Sequence, residues 1–330
     1  METRIGRLVV SSSPHIKSSV TIETAMRDVL IALTPALIMA VYFFRFSALA
    51  VILTCVTTAV VSEAVCQKMR GRPVTVKDGS AAITGLLLAF CLPPTIPIWI
   101  AAVGSASAIV LAKQFFGGLG HNVFNPALVG RAIILASWPA AATTFVLPLD
   151  GVTSATPLEI MKGAAQSFVP AAWSEAAAQL PSLWDMFIGN IGGSLGETSV
   201  LALLLGGVYL LYKGHIDWRI PGTFIGSVFL LTAAYGAFTG KGIILYSLYH
   251  VFGGGLMLGA IFMATDWVTS PITKRGRIIF GLGCGILTVI IRLYGGYPEG
   301  VCYSILLMNC CTPLIDRFVR PRVYGRRKNA

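Results

Sequence analysis

The chain is poor in charge: 25 Lys and Arg and 14 Asp and Glu among 330 residues, 12% in all. An ordinary soluble domain carries roughly 25%. Other classes are excluded by what else is missing. The seven cysteines are odd in number, nearly all sit in apolar stretches, and none forms a C-x-x-C pair. Neither a disulfide framework nor a thiolate metal centre is therefore expected, and only the adjacent Cys310–Cys311 pair is a candidate for a redox or ligand role. No G-x-x-x-x-G-K-[ST] occurs, so the glycine clusters 117–120 and 253–255 are not phosphate loops; close helix packing is their expected use. The N-terminal stretch is polar and basic, without the short apolar core and cleavage site of a signal peptide. The strict apolar–polar alternation of a transmembrane barrel is absent. A net charge of +11 would suggest nucleic acid only if the basic residues formed a stripe, and they stand instead at the ends of apolar segments.

What is present is apolar length. Residues of the hydrophobic types make up 55% of the chain. A spanning helix needs about 20 apolar residues, and ten candidate stretches lie near 28–44, 47–66, 79–93, 96–112, 121–138, 195–212, 221–239, 243–264, 277–294 and 300–316. The expected fold is an all-α polytopic membrane protein. With the N-terminus inside, 20 of the 25 Lys and Arg fall in inward-facing segments and five do not, the asymmetry that orients membrane proteins. The basic tail 317–330 then anchors the inner end near anionic lipid. Trp99, Trp138, Trp218 and Trp267 lie near proposed helix ends, as in an interfacial belt. The domains expected are an inner N-terminal segment 1–24, helices 1–5 over 25–138, an outward loop 139–194, helices 6–10 over 195–316, and the tail. Five helices on each side of the loop imply inverted halves, a common plan with sites near the midplane. Gly85-Leu86-Leu87-Leu88 echoes Gly255-Leu256-Met257-Leu258 across those halves.

The outward loop holds Asp150-Gly151-Val152-Thr153-Ser154-Ala155-Thr156-Pro157-Leu158-Glu159. Locally this is a helix start: Thr156 suits the cap, Pro157 the first position, and Glu159 completes a capping box. The small residues before Thr156 also leave its hydroxyl accessible to a modifying enzyme, and a phosphate there would meet a helix N-terminus. Glu159 would oppose that phosphate unless it turns away.

The same stretch resembles the flavinylation motif Asp-x-x-Ser/Thr-Gly-Ala-Thr, matched at Asp150, Thr153, Ala155 and Thr156, with Ser154 in place of the usual Gly. Together with Lys77-Asp78-Gly79-Ser80-Ala81-Ala82-Ile83-Thr84-Gly85, Leu92-Pro93-Pro94, the run Phe116–Ala127 and Ala264-Thr265-Asp266, the chain resembles the D subunits of Rnf electron-transport complexes. These are similar to the B subunit of the sodium-pumping NADH:quinone reductase. The resemblance implies FMN joined to Thr156 through a phosphoester by a flavin transferase. It implies partner subunits of an ion-translocating ferredoxin:NAD complex, a bacterial inner membrane, and no nucleic acid. It leaves room for a second, non-covalent flavin such as riboflavin, with Asn122, Asn125 and Arg131 as candidate contacts. No catalytic acid, base or nucleophile and no metal site is implied. The flavin would carry the redox chemistry while the protein orients it.

Intramembrane polar groups are costly and often functional. Arg131 is either a snorkelling or helix-pairing residue or a partner for a flavin's anionic group. His250 is expected to be a hydrogen-bonded packing histidine. Glu63, Asp78 and Asp266 are expected at the inner interface, and are the carboxylates to test first if ions cross. Two other functions fit the helices: a solute transporter or channel of inverted halves, and a scaffold for a larger complex. Both leave Asp150–Thr156 without a role.

Overall fold

The computed structural model describes residues 20–148, 151–166, 177–297 and 299–320. Asp150 lies outside them, as do most of the N-terminal segment and nearly all of the basic tail. The first element, α1 (Ile22–Met69), opens on a reciprocal cap between Thr21 and Thr24. Its 48 residues would run about 72 Å if straight, more than twice a hydrocarbon core of roughly 30 Å. Two separate helices, 28–44 and 47–66, were expected here. They are joined instead without a loop, and the chain turns on Arg45 alone (φ 51°, ψ −129°). No Gly or Pro lies between Phe44 and Ser47 to make a turn, so one strained residue makes the bend. Arg45 is the only non-glycine with positive φ among the described residues.

The other elements are α2 (Ser80–Phe90), α3 (Ile98–Ser107) running on as π-helix over Ala108–Gln114, α4 (Pro126–Ser137), α5 (Pro139–Thr143), α6 (Pro157–Gln166), α7 (Leu183–Ile188) and α8 (Val200–Lys213). Then come α9 (Arg219–Thr239), α10 (Ile244–Phe252), α11 (Leu256–Leu258) with π-helix Gly259–Met263, α12 (Lys274–Tyr294) and α13 (Val301–Phe318). All ten apolar stretches fall on helix. By length and composition, however, only α1, α9 and α12 among the described residues are long and apolar enough to cross a membrane alone, and the pair Ile244–Phe252 and Leu256–Met263, bent by 65°, makes a fourth if counted as one span. The expected starts at 121 and 195 are early by several residues. Apolarity extends that far, but the caps Asn125 and Ser199 decide where the helices begin.

Packing follows the same order twice. α1 lies along α2 and α3, and α3 along α4; α9 lies along α10 and α12, and α12 along α13. The two sets meet where α1 packs on α8 and α4 on α13. Gly85 brings α2 against the α1 backbone, where a Cβ would stand 2.7 Å from the Cys55 carbonyl oxygen. Of the two glycine clusters only 253–255 is closely packed, where a Cβ at Gly254 would stand 2.3 Å from Leu158; Gly117, Gly118, Gly120, Gly254 and Gly255 all take positive φ and turn the chain.

Polar ties gather at two places. At one, Asp28 accepts from Tyr209 (3.1 Å) and meets His215 (2.8 Å), Asp217 accepts from Arg219 and Arg277, and Asp316 accepts from the Ile272 N–H. At the other, the Leu195 and Gly196 N–H groups donate to the carbonyls of Leu92 and Phe90, and Thr95 donates to the Thr144 carbonyl.

Candidate functional site

Thr156 stands at the foot of a short hairpin. Val146 and Thr153 form an antiparallel bridge, with Leu147 N–H donating to Val152 O and Ser154 N–H to Phe145 O. Pro157 then fixes the first turn of α6, and the Glu159 N–H donates to Thr156 Oγ1 at 3.3 Å. The hydroxyl half of the expected capping box thus forms, while the Glu159 side chain is exposed and does not close the other half. Ser154 does not take a positive φ, so the position does not require the motif's glycine. Accessibility of the hydroxyl is the point to correct. Thr156 is only 6% exposed, because α6 docks through Leu158 and Met161 onto Met186, Tyr246 and Tyr249. Lys162 holds the docked helix by donating to the carbonyls of Gly295 and Tyr297 (2.9 Å for the latter).

The small pocket beside Thr156 is lined by Gly192, Gly193, Gly253 and Gly254, and by Glu197 and Glu299. Its about 20 Å³ hold no more than a water. The helix N-terminus suits a phosphoester; the pocket itself, water-sized and faced by two carboxylates, does not hold an isoalloxazine ring.

Arg131 on α4 does not reach lipid or solvent. Its two terminal nitrogens meet Glu197 (3.0 Å) and Glu299, with the three side chains 12%, 7% and 16% exposed. Arg292 on α12 lies nearby, 3% exposed, and donates to the carbonyls of His250, Gly253 (3.0 Å) and Gly254 (3.1 Å). It thereby caps the broken end of α10, where the last carbonyls of a helix lack partners of their own. Glu197, Glu299 and Arg292 were not singled out in the sequence. Arg292 sits inside an apolar run, a signal that could have found it; the two glutamates lie in turns and gave none. His250 is buried as expected but not hydrogen-bonded: both ring nitrogens lack a partner, and the ring packs edge-on to Tyr246 with centroids 4.7 Å apart.

A second, larger cavity of about 320 Å³ lies between α1, α2, α4 and the Gly259–Met263 segment, within the roughly 300–1,000 Å³ of ligand sites. Asn122, Asn125, Asp266 and Lys113 line it among mostly apolar neighbours. Asn125 caps α4 through Oδ1 and donates from Nδ2 to the Met263 carbonyl at 3.2 Å. Lys113 pairs with Glu63 (2.8 Å) and donates to Ser80 Oγ (2.6 Å), while Gln114 also donates to Glu63. Glu63 is thus buried within the protein and paired with Lys113. Asp78 caps α2 by accepting from the Ser80 N–H at 2.9 Å. A tricyclic ring fits this cavity in size and lining. So Asn122 and Asn125 line one cavity, Thr156 lines the small pocket, and Arg131 lies in the cleft beside that pocket. All seven cysteines are free thiols, and Cys310 and Cys311 lie apart from both sites. Among the described residues no group of three His, Cys, Asp or Glu could hold a metal ion.

Comparison with known proteins covers nearly the whole chain. Residues 9–325 match the model of the NQR2, RnfD, RnfE family. The chain is 51% identical over 323 residues to the D subunit of the Na(+)-translocating ferredoxin:NAD(+) oxidoreductase complex of Acetobacterium woodii (96% of this chain, 95% of the relative). It is 49% identical over 326 residues to the D subunit of the proton-translocating ferredoxin:NAD(+) oxidoreductase complex of Clostridium ljungdahlii (97% and 96%). It is 41% identical over 339 residues to the D subunit of the ion-translocating oxidoreductase complex of Stutzerimonas stutzeri (94% of each).

Proposed function

The chain belongs to the NQR2, RnfD, RnfE family, and from that premise we propose that it is the membrane-embedded D subunit of an ion-translocating ferredoxin:NAD oxidoreductase, bearing FMN as a phosphoester on Thr156. The observation that carries the flavin is Thr156 itself: a hydroxyl capping α6, with the matched motif residues Thr153 and Ala155 placed just before it by the hairpin. When bound, a flavin supplies reversible electron transfer. This chain's residues hold and insulate it. The N-terminus of α6 favours the phosphate charge. A second flavin of the riboflavin type would occupy the large cavity, held by Asn122 and Asn125.

Ten spans in two inverted halves also form part of this reading. The repeated packing order and the alternation of polar ties between two places support it. The bilayer would be a bacterial inner membrane, with both termini cytoplasmic and Thr156 on the opposite side, where a flavin transferase reaches it. Relatives of near-equal similarity are named for sodium and for protons. The test is in-gel flavin fluorescence of the denatured chain with mass spectrometry of peptide 139–162. A fluorescent band with an added FMN mass is expected. A colourless, unmodified chain from cells holding the transferase would sink the flavin assignment and leave the transporter reading in its place.

A further inference from the structure

Arg131, Glu197 and Glu299 come from separate parts of the chain and meet in a cleft beside the Thr156 pocket, and Arg292 stands behind it on the Gly253 and Gly254 carbonyls. We infer that the Glu197–Glu299 pair takes up one proton for each electron held on a flavin beside it, and releases that proton when the electron leaves. This rests on the flavin reading above.

Position is the first ground. Both carboxylates line the pocket at Thr156. On their other side they share a narrow cleft with Arg131, Leu128 and Met263. The Met263 carbonyl is bonded to Asn125, which faces the large cavity. A flavin reduced in the large cavity would therefore bring negative charge within a few side chains of the pair.

Charge is the second. One guanidinium serves both carboxylates directly. Arg292 spends its bonds on backbone carbonyls and acts on the pair only through space. Two carboxylates on one Arg, in apolar surroundings, repel each other, and one further negative charge nearby favours a shared proton. The alternatives answer less well. Arginine keeps its proton. Cys91 and Cys302, which face Arg131 from the end of α2 and from α13, are thiols that already hold theirs. Beyond Arg292, a proton on His250 would be opposed by Arg292 itself and by Lys162, which line one cavity with it and with Tyr246.

The step balances simply. The electron comes from the redox group of an adjoining subunit. One O–H bond forms on a carboxylate oxygen, and one breaks in a hydronium ion or water of the aqueous phase at that end of the bundle. Glu299, the most exposed of the four and set just before α13, is the entry point. Proton and electron together leave the buried charge unchanged, which low dielectric otherwise penalises.

The test is reduced-minus-oxidised infrared difference spectroscopy on the purified complex containing this chain. Wild type should gain the carbonyl-stretch band of a protonated carboxylic acid, shifted in D2O, in step with the flavin bands. Glu299→Gln and Glu197→Gln should each lose it, because a single carboxylate on Arg131 has no reason to protonate. The D2O shift is read on wild type alone, so it tests the inference even where a substituted chain folds poorly. Flavin bands without any carboxylic-acid band, or a band unchanged in both variants, overturn the inference alone. A chain without covalent flavin fluorescence would instead overturn the reading beneath it.

Discussion

At the scale of single residues, the two sites differ in what a substitution removes. Thr156→Ala deletes a cap and an acceptor hydroxyl. It should abolish in-gel flavin fluorescence while costing about 1 kcal/mol of stability, so the protein should still accumulate in the membrane; wholesale loss of the chain would show a structural role instead. Arg131→Met strands two buried carboxylates and should cost about 3–5 kcal/mol, read as a lower melting temperature in detergent. Adding Glu299→Gln to it should restore part of the loss, since one buried charge is gone; no recovery would mean that Arg131 does not act through that pair. Asp217 offers a pH test. Burial alone would raise its carboxyl, but the Arg219 N–H and the guanidinium groups of Arg277 and Arg219 outweigh burial and hold it below the usual range. A carboxyl lowered in the folded state stabilises above its unfolded pKa of about 3.9 and loses that contribution as pH falls through the folded value. The melting difference between wild type and Asp217→Asn should therefore be flat from neutral pH to about 5 and shrink below about 4. A difference that instead grew toward low pH would refute the assignment.

At the scale of elements, the α10–α11 break holds the Thr156 segment in place. Gly254 has φ +64°, and a Cβ there would meet Leu158 of α6 and come within 2.9 Å of Arg292. Gly254→Ala should cost about 1–2 kcal/mol for the left-handed backbone alone, and more through undocking of α6. Limited proteolysis should then cut residues 151–166 faster. Gly226→Ala is the control, because nothing lies within 4 Å of its Cβ. Equal cutting in both variants would show that α6 docks independently of the break. The π-helical end of α3 has a similar positioning role, since it delivers both Lys113 and Gln114 to Glu63 on α1.

At the scale of the whole molecule, the prediction concerns sidedness. Single cysteines at Arg72 and Gln179, both exposed, placed in a cysteine-free background, should be labelled by an impermeant maleimide from opposite faces of the membrane. Labelling from the same face would contradict ten passes and the inverted halves together. Helices from either side of the long loop meet through α1 on α8 and α4 on α13, and the ion pairs of Arg131 with Glu197 and Glu299 join the same two parts of the chain.

The pattern of apolar runs and flanking charges was enough to place helix on all ten stretches, because segment length and hydropathy are properties of consecutive residues. The capping role of Thr156 was equally local: hydroxyl, proline and acid at fixed offsets make a helix start wherever the segment lies. Asn125 was legible as a site candidate, but not as the cap and cross-tie it also is. Sequence alone could not join 28–44 to 47–66 through Arg45, since nothing in the residue types there marks one strained position. Nor could it bury Thr156, pair Arg131 with two glutamates 66 and 168 positions away, or leave His250 without a partner. Those facts depend on which distant surfaces meet. Local chemistry thus determined the helices and the capping hydroxyl of Thr156. Only tertiary packing, which desolvates groups far apart in the chain and forces their charges to balance one another, decided where the buried ion pairs stand and how closely the Thr156 segment is held.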